Sequence, residues 1–291
     1  MNSRKTDHRR LWVISVSLVC LVAAGPFALS MQLPQNPSPM TESTREHGRL
    51  KNQPVNGVHH TLSVGSILIP NGRLAVRPLA VHFHGESSYV EAGIHRWREN
   101  AAALSVLATG GSETYSAAIG SGDRFRQLLV EAEQKCKCAF RPVYLTSFSA
   151  GYGAVREILR DPLSVKRVDG IVLADSLHAG YETGDKPGPI VPADLESILD
   201  FARLAAKGTK RMLVAHSEVF PGTYASSTET ADYLLQKLGL KRKPVLRWGV
   251  FGMQQLSEVR SGNFQVLGYA GNSAPDHIDH FHAIFDWLRK L

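Results

Sequence analysis

Short apolar runs alternate with stretches of helical spacing from about residue 57 to the end of the chain. An apolar run that ends in polar residues is typical of a buried strand, so each run predicts one. The predicted strands are PLAVHFHG (78–85), AALSVLAT (102–109), FRPVYLTSFS (140–149), VDGIVLAD (168–175), KRMLVAHS (210–217) and NFQVLGYAG (263–271). Strands that alternate with helices predict an α/β fold, a three-layer sandwich around a mainly parallel central sheet.

Helical spacing is clearest in SGDRFRQLLVEAEQK (121–135), where Phe125, Leu128, Leu129 and Ala132 share one face and Ser121 is a candidate N-cap. Further helices are predicted over 151–161, near 193–207, near 228–238 and over 277–291. Before the first long strand, HTLSVGSILIP and RLAV flank Asn71-Gly72. This dipeptide favours a tight primed turn, and the pattern therefore predicts an opening antiparallel hairpin around it.

The first thirty residues have the order of an export signal. A basic segment, MNSRKTDHRR, precedes an uncharged run from Leu11 to Ser30, and Ala28 and Ser30 have the small-residue spacing of a cleavage site. We expect cleavage after Ser30 and a periplasmic or secreted protein. The alternative is an uncleaved membrane anchor over residues 11–30. Residues 31–56 are polar and Pro/Asn-rich and are predicted to be a linker, which leaves one domain over 57–291.

Composition excludes a wholly disordered chain, because 43% of the 291 residues are hydrophobic. The net charge is +7, and the first ten residues supply three of these units. The remainder is too weak and dispersed to indicate a nucleic-acid partner. Cys136 and Cys138 form a C-x-C pair, a poor metal site by itself, and we interpret both as structural.

The strongest chemical motif is Ser147-Phe148-Ser149-Ala150-Gly151, between a predicted strand and a predicted helix. A nucleophile on a sharp strand-to-helix turn needs small residues two positions away on either side, because larger ones would strike the sheet or the helix. Ser147 and Gly151 meet this need, with Ser147 in place of the first glycine of G-x-S-x-G. The alternative is an ordinary Ser/Gly-rich turn.

These residues, with HFHGE (82–86) and the groups that follow them in the chain, resemble the α/β-hydrolase superfamily over roughly residues 58–291. The resemblance implies that backbone N–H groups near Gly85 and Glu86, together with that of Ala150, form an oxyanion hole. It also implies the chain order serine, acid, histidine. Gly85 would permit the close backbone approach that such a site requires.

The general base is expected after the last strand, where the candidates are His277, His280 and His282. Helical periodicity predicts a buried stripe on the closing helix formed by Ile278, Phe281, Ile284, Phe285, Leu288 and Leu291. His277 falls on this stripe beside the preceding loop, His280 at its border, and His282 away from it. We therefore assign His277 as the base, with His280 as the alternate.

The acid has two candidates. Asp175 ends the strand that follows the elbow helix, and Glu218 follows the next strand. The resemblance places the acid most often after the later strand, but the earlier position is a known variant. Asp175 is favoured because it lies at a strand terminus, and Glu218 is the alternate. His178, His216 and Tyr224 are expected on loops at the same end of the sheet.

Two other functions compete with a serine hydrolase. The first is a metal-dependent hydrolase that uses His82 and His84 with His178, His216 and either Asp276 or Asp279. The second is a hydrolase-like scaffold that binds without catalysis. We favour an exported serine hydrolase that cleaves an ester or amide bond of a small molecule, with no cofactor and no metal. Residues 11–30 are its only predicted membrane contact.

Overall fold

The computed structural model describes residues 51, 53–120 and 122–291. The predicted signal at 1–30, most of the predicted linker and the candidate cap Ser121 lie outside the described residues. A single ten-stranded sheet runs through the described part. Its strands are β1 (Gly57–Thr61), β2 (Ser66–Pro70), β3 (Val76–Phe83), β4 (Ala102–Val106), β5 (Ala139–Phe148), β6 (Gly170–Ala174), β7 (Arg211–His216), β8 (Lys243–Trp248), β9 (Gln254–Ser261) and β10 (Phe264–Tyr269).

The strand order is β1-β2-β4-β3-β5-β6-β7-β10-β9-β8. The six central strands, from β4 to β10 in this order, are parallel to one another, and the pairs at both ends are antiparallel. The predicted mainly parallel sheet is therefore confirmed. All six predicted strands are present as β3, β4, β5, β6, β7 and β10.

The predicted hairpin was wrong in its turn. Strands β1 and β2 pair with each other across a turn at 62–65, which lies inside the segment HTLSVGSILIP. Gly65 has φ +74°, and a Cβ there would lie 2.2 Å from the carbonyl oxygen of Ser105, so this turn requires glycine. Asn71-Gly72 instead connects β2 to β3, and β4 lies between those two strands.

Helices cover both faces of the sheet. They are α1 (Ser87–Trp97), α2 (Ser112–Ile119), α3 (Gly122–Cys136), α4 (Tyr152–Leu159), α5 (Pro162–Arg167), α6 (Glu196–Ala206), α7 (Ser227–Leu238) and α8 (Ala274–Leu288). The apolar side chains of α1 and α8 pack on one face, and those of α2, α3, α4, α6 and α7 pack on the other. The predicted three-layer sandwich is confirmed, and the face predicted for α3 is fully buried.

The buried face of α8 differs from the predicted stripe. Ile278 is 39% exposed, whereas Asp279, His280 and Trp287 are buried. The reason is that α8 also packs against the turn at 250–252, which follows β8, and against the end of β10, where the rings of Tyr269 and Trp287 lie 5.6 Å apart. The apolar spacing alone did not reveal this second contact. No helix within the described ranges has both the length and the apolar character needed to span a bilayer.

Candidate active site

Ser149 lies at the carboxyl end of β5, in a backbone conformation that non-glycine residues rarely adopt. Its φ is +47°, and it begins a short 3₁₀ turn, Ser149–Gly151, that leads into α4. A Cβ on Gly151 would lie 2.3 Å from the carbonyl oxygen of Phe83, so the turn packs against β3 too closely for any side chain. Strained backbone of this kind is typical of functional sites, where the surrounding structure holds it in place.

Serine hydroxyl groups beneath this turn fix its main chain. The Ser176 hydroxyl donates a 2.8 Å hydrogen bond to the carbonyl oxygen of Ser149, and its own oxygen lies 2.9 Å from that of Ser147. Ser147 and Ser176 are fully buried. The serine at the position of the family's first glycine therefore has a polar partner and supports the turn.

Asp175 and His277 meet at the carboxyl edge of the parallel strands. Nδ1 of His277 lies 2.7 Å from Oδ2 of Asp175. The carboxylate is buried, with 3% of the side chain exposed, whereas 24% of the imidazole is exposed. Asp175 has φ +46° immediately after β6, and its N–H donates to the carbonyl oxygen of Ala215 at 2.7 Å. One nitrogen of His277 thus faces the acid, and the ring remains accessible to solvent.

The start of α8 sets the position of His277. Ser273 is the N-cap, and its hydroxyl and the carboxylate of Asp276 form a reciprocal capping box. Pro275 stands in the first turn, where its missing N–H costs no hydrogen bond. His277 follows directly, so the local sequence S-A-P-D-H places the imidazole at a well-defined helix start.

The environment of Asp175 favours its ionised form. Burial by itself would raise the pKa of this carboxyl group, but the hydrogen bond from His277, the proximity of His280 and the hydrogen bond from Ser217 outweigh it. The net result is a pKa well below the usual range. Ser217 contributes twice, since its hydroxyl donates to Oδ2 at 2.5 Å and its N–H donates to Oδ1 at 3.2 Å.

The two alternate residues occupy different surroundings. His280 is buried at 1% exposure, with its ring 5.6 Å from that of Tyr269 and 5.2 Å from that of Trp287. Burial lowers its pKa to about 4. Glu218 is exposed, and its N–H donates to the carbonyl oxygen of Gly271. The carboxylate oxygen that meets His277 belongs to Asp175.

Phe148, the residue before Ser149, packs against His277, with 4.4 Å between the centroids of the two rings. The Ser149 side chain is half-buried. Within the described part of the chain, its hydroxyl has no hydrogen-bond partner. The structure therefore brings the predicted acid and base into contact, and among the described residues it shows no hydrogen bond between the Ser149 hydroxyl and His277.

The predicted oxyanion-hole residues lie on neighbouring strands. β3 pairs with β5, and Phe83 stands opposite Ser147, so the loop 84–86 and the turn at Ala150 leave the same edge of the sheet. A Cβ on Gly85 would lie 2.5 Å from the ring of Phe281, so this position has no room for a side chain. Glu86 is the N-cap of α1, so its N–H lies at a helix N-terminus.

His82 and His84 have separate structural partners. Nδ1 of His82 lies 2.9 Å from the Thr146 hydroxyl, and burial lowers the pKa of His82 to about 3. Nδ1 of His84 lies 2.8 Å from the Tyr115 hydroxyl, and His84 has φ +70°. No three His, Cys, Asp or Glu side chains among residues 51, 53–120 and 122–291 converge in a way that could hold a metal ion. Cys136 and Cys138 are both unpaired.

A cavity of about 290 Å³ opens beside Ser149. Ser149, Ala150 and three rings, those of Tyr152, His178 and Tyr224, form most of its wall. His178 and Tyr224 therefore lie at the predicted end of the sheet, and both line this cavity. Tyr152 was not predicted, although it stands only three residues after Ser149, at the start of α4.

His216 lies apart from the cavity and takes part in a polar chain behind Asp175. Arg242 donates to Nε2 of His216 at 2.8 Å, and Nδ1 of His216 donates to the carbonyl oxygen of Ser217 at 2.9 Å. Burial first, and then the charge of Arg242, lower the pKa of His216 to about 4. Ser217 and Arg242 were not predicted, and the only sequence signal for Ser217 was its place directly after a strand.

Comparisons with known proteins are distant. The chain matches no family model, and a search of the curated proteins finds no match. Among solved structures, it resembles a cold-adapted esterase from an Arctic intertidal metagenomic library, at 14% identity and a TM-score of 0.46, over 82% of this chain and 99% of that one. An acetyl xylan esterase from Aspergillus awamori matches at 13% identity and a TM-score of 0.45, over 76% and 93%.

A truncated carbohydrate esterase from gut microbiota matches at 9% identity and a TM-score of 0.47, over 84% of this chain and 99% of that one. The classification of this fold rests on the chain's own strand order, on the sharp turn after β5 and on the helices that cover both faces. On these grounds the chain has the α/β-hydrolase fold.

Proposed function

We propose that this protein is a serine hydrolase that cleaves an ester or amide bond of a small molecule, with Ser149, His277 and Asp175 as its catalytic triad. The observation that carries the proposal is the 2.7 Å contact between Nδ1 of His277 and the buried carboxylate of Asp175. A serine hydroxyl is a weak nucleophile near neutral pH, and it needs a base whose tautomer and orientation are fixed by a third group.

The Asp175 contact assigns the two nitrogens of His277 different roles. The ionised carboxylate accepts a hydrogen bond from Nδ1–H, which keeps the ring proton on Nδ1 and leaves Nε2 able to accept the proton of Ser149. Oγ of Ser149 then attacks the carbonyl carbon of the substrate, and the leaving alcohol or amine takes the proton from Nε2. A water molecule, activated by the same nitrogen, hydrolyses the acyl-enzyme and restores the serine hydroxyl.

Hydrogen-bond geometry in an unliganded active site is often loose and tightens only when substrate binds. Formation of the Michaelis complex therefore includes rotation of the Ser149 hydroxyl toward Nε2 of His277. The developing oxyanion would accept hydrogen bonds from the N–H groups of Ala150 and Glu86, and Gly85 precedes Glu86 in the same loop. None of these steps needs a metal ion or a redox cofactor.

We further propose that the protein is exported, on the basis of the basic and then apolar order of residues 1–30. N-terminal sequencing of the mature protein tests this directly. A mature chain that begins near Met31 supports cleavage, whereas a chain that retains residues 11–30 and sediments with membranes supports an anchor.

The experiment that tests the hydrolase is turnover of p-nitrophenyl acetate by the wild type and by Ser149→Ala and His277→Ala. Each variant should lose at least about 10³-fold in kcat/KM while keeping the wild-type circular dichroism spectrum. His282→Gln is the matched control, because it changes a histidine of the same helix whose ring packs against those of Tyr89 and Phe281. Turnover by Ser149→Ala at the wild-type rate would reject the proposal.

A further inference from the structure

The wall of the cavity beside Ser149 is uncharged. Its remaining members are small or polar residues, and none of the described residues that line it is Asp, Glu, Lys or Arg. The Tyr152 hydroxyl donates to the Ser112 hydroxyl at 3.0 Å, and burial raises the pKa of Tyr152. An ionised group would therefore lose its hydration in this cavity without gaining a counter-charge.

Three rings of the wall form an edge-to-face array centred on His178. The ring of His178 lies 5.3 Å from that of Tyr152 at an interplanar angle of 66°, and 5.2 Å from that of Tyr224 at 87°. Nδ1 of His178 donates to the carbonyl oxygen of Ala225 at 3.1 Å, which fixes the ring, and burial lowers its pKa. Such an array presents both faces and edges of aromatic rings to a guest, the geometry that a further aromatic ring prefers.

The position of the cavity relative to His277 indicates which part of a substrate it holds. Ser149 and Ala150 line the cavity, whereas His277 is not among the described residues that do. In the proposed mechanism the leaving group takes its proton from His277 and must depart on that side. The acyl group stays bonded to Oγ of Ser149, and Ser149 itself lines the cavity.

The volume indicates the size of acyl group that the cavity can enclose completely. A water-sized group occupies about 30 Å³ in the liquid, so a cavity of about 290 Å³ holds roughly ten non-hydrogen atoms. A benzoyl group fits within that limit, whereas a dodecanoyl chain exceeds it.

We propose that this cavity is the acyl site and that it selects short, uncharged acyl groups that carry an aromatic ring. The inference rests on the proposed function and names its substrate class. Tyr224 is the specificity-determining residue. Its ring is 44% exposed at the rim of the cavity, so an amino-acid substitution there changes the array without disturbing the hydrophobic core.

The test compares kcat/KM for the p-nitrophenyl esters of benzoate, heptanoate, dodecanoate and succinate, each divided by the rate of its spontaneous hydrolysis. Benzoate should exceed heptanoate, which has the same number of non-hydrogen atoms in its acyl group, by about threefold to tenfold. Dodecanoate and the negatively charged succinate should each fall about tenfold or more below heptanoate. A benzoate value equal to or below that of heptanoate would overturn the inference.

Two variants at one position separate the ring from the hydroxyl group. Tyr224→Leu should reduce the benzoate-to-heptanoate ratio to about one, whereas Tyr224→Phe should preserve it. Phe220→Leu is the matched control, because Phe220 is an exposed ring of the same loop that lies outside the cavity, and its ratio should equal that of the wild type. An unchanged benzoate-to-heptanoate ratio in Tyr224→Leu would show that neither Tyr224 nor the aromatic array determines the acyl preference.

The experiment gives different results if the acyl-site inference is wrong and if the proposed hydrolase function is wrong. A wild-type enzyme that hydrolyses acetate through Ser149 but shows neither a ring preference nor a size limit refutes the acyl-site assignment and leaves the hydrolase intact. A folded protein that hydrolyses none of these esters refutes both.

Discussion

The Ser217 hydroxyl donates to Oδ2 of Asp175, the same carboxylate oxygen that lies 2.7 Å from Nδ1 of His277. Ser217 is itself held in place, since its carbonyl oxygen accepts hydrogen bonds from His216 at 2.9 Å and from Thr228 at 2.8 Å. Hydrogen bonds to an ionised group are stronger than those between neutral groups. In the proposed triad, Ser217 is therefore a positioning residue that acts on His277 through Asp175.

Removing this hydroxyl should weaken catalysis without removing any triad member. We expect Ser217→Ala to lower kcat by about tenfold to a hundredfold, because a hydrogen bond to a charged group contributes about 1.5–3 kcal/mol. KM should change little, since Ser217 does not line the cavity. Ser217→Thr keeps a hydroxyl and should recover most of the rate, and equal losses in both variants would show that the role is only one of packing.

Removing the charge of each candidate acid in turn shows which of the two carboxylates matters more for catalysis. Asp175→Asn should lower kcat by about 10³- to 10⁴-fold, because an amide at this place stabilises the wrong tautomer of His277 and does not stabilise the imidazolium. Glu218→Gln, the matched change on an exposed side chain, should stay within about twofold of the wild type. The reverse order of the two rates would make Glu218 the acid.

The sequence could predict those residues of the site that follow the carboxyl ends of strands. Ser149, Asp175 and His277 each follow a strand with a clear apolar run, and parallel strands bring such ends to one edge. Ser176 and Ser217 act through the direction of a single hydroxyl group, which no spacing encodes. Their roles became visible only when the distances were known.

The same distinction applies to the fold. β6 is buried along its whole length and was predicted, whereas β8 has an exposed pattern and β9 is polar, so neither has the apolar signal of a strand. They form the antiparallel end of the sheet, where one side is solvated. Helix α1 was missed because Gly93 and polar residues interrupt its apolar spacing. Gly93 is needed there, since a Cβ would lie 2.1 Å from the ring of Phe285.

Buried neutral histidines should make the folded state sensitive to acid. The pKa values of His216 and His280 are lowered to about 4 from the usual value of 6.5, so below pH 6.5 the unfolded chain binds protons that the folded chain does not. Stability should therefore decrease as the pH falls from about 6.5 to 4, by roughly 3 kcal/mol for each histidine.

His280→Phe tests this dependence at one position. The groups that face His280 are Asp175, His277, His216 and Asp276. Phenylalanine has no proton to bind, so the variant should lose less stability than the wild type between pH 6.5 and 4 in urea unfolding. Parallel pH profiles for the two proteins would show that His280 does not take part. The control is a measurement near pH 8, where histidines are neutral in both the folded and the unfolded chain and do not make the free energy of unfolding depend on pH.

The contact between Gly151 and β3 should tolerate no side chain. Gly151→Ala would bring its Cβ to 2.3 Å from the carbonyl oxygen of Phe83, and we expect at least about 2 kcal/mol of destabilisation. Gly111→Ala is the control, because a Cβ there meets no heavy atom within 4 Å. Thermal unfolding of the two variants should differ by several degrees, and equal melting temperatures would contradict the close packing of the elbow.

The central claim is that Ser149 is a nucleophile activated by His277, and covalent labelling tests it most directly. A fluorophosphonate probe should form one adduct with the folded wild-type protein, and peptide mapping by mass spectrometry should assign that adduct to Ser149. The Ser149→Ala protein should remain unlabelled. A folded wild-type protein that does not react, or an adduct on a different serine, would contradict the account.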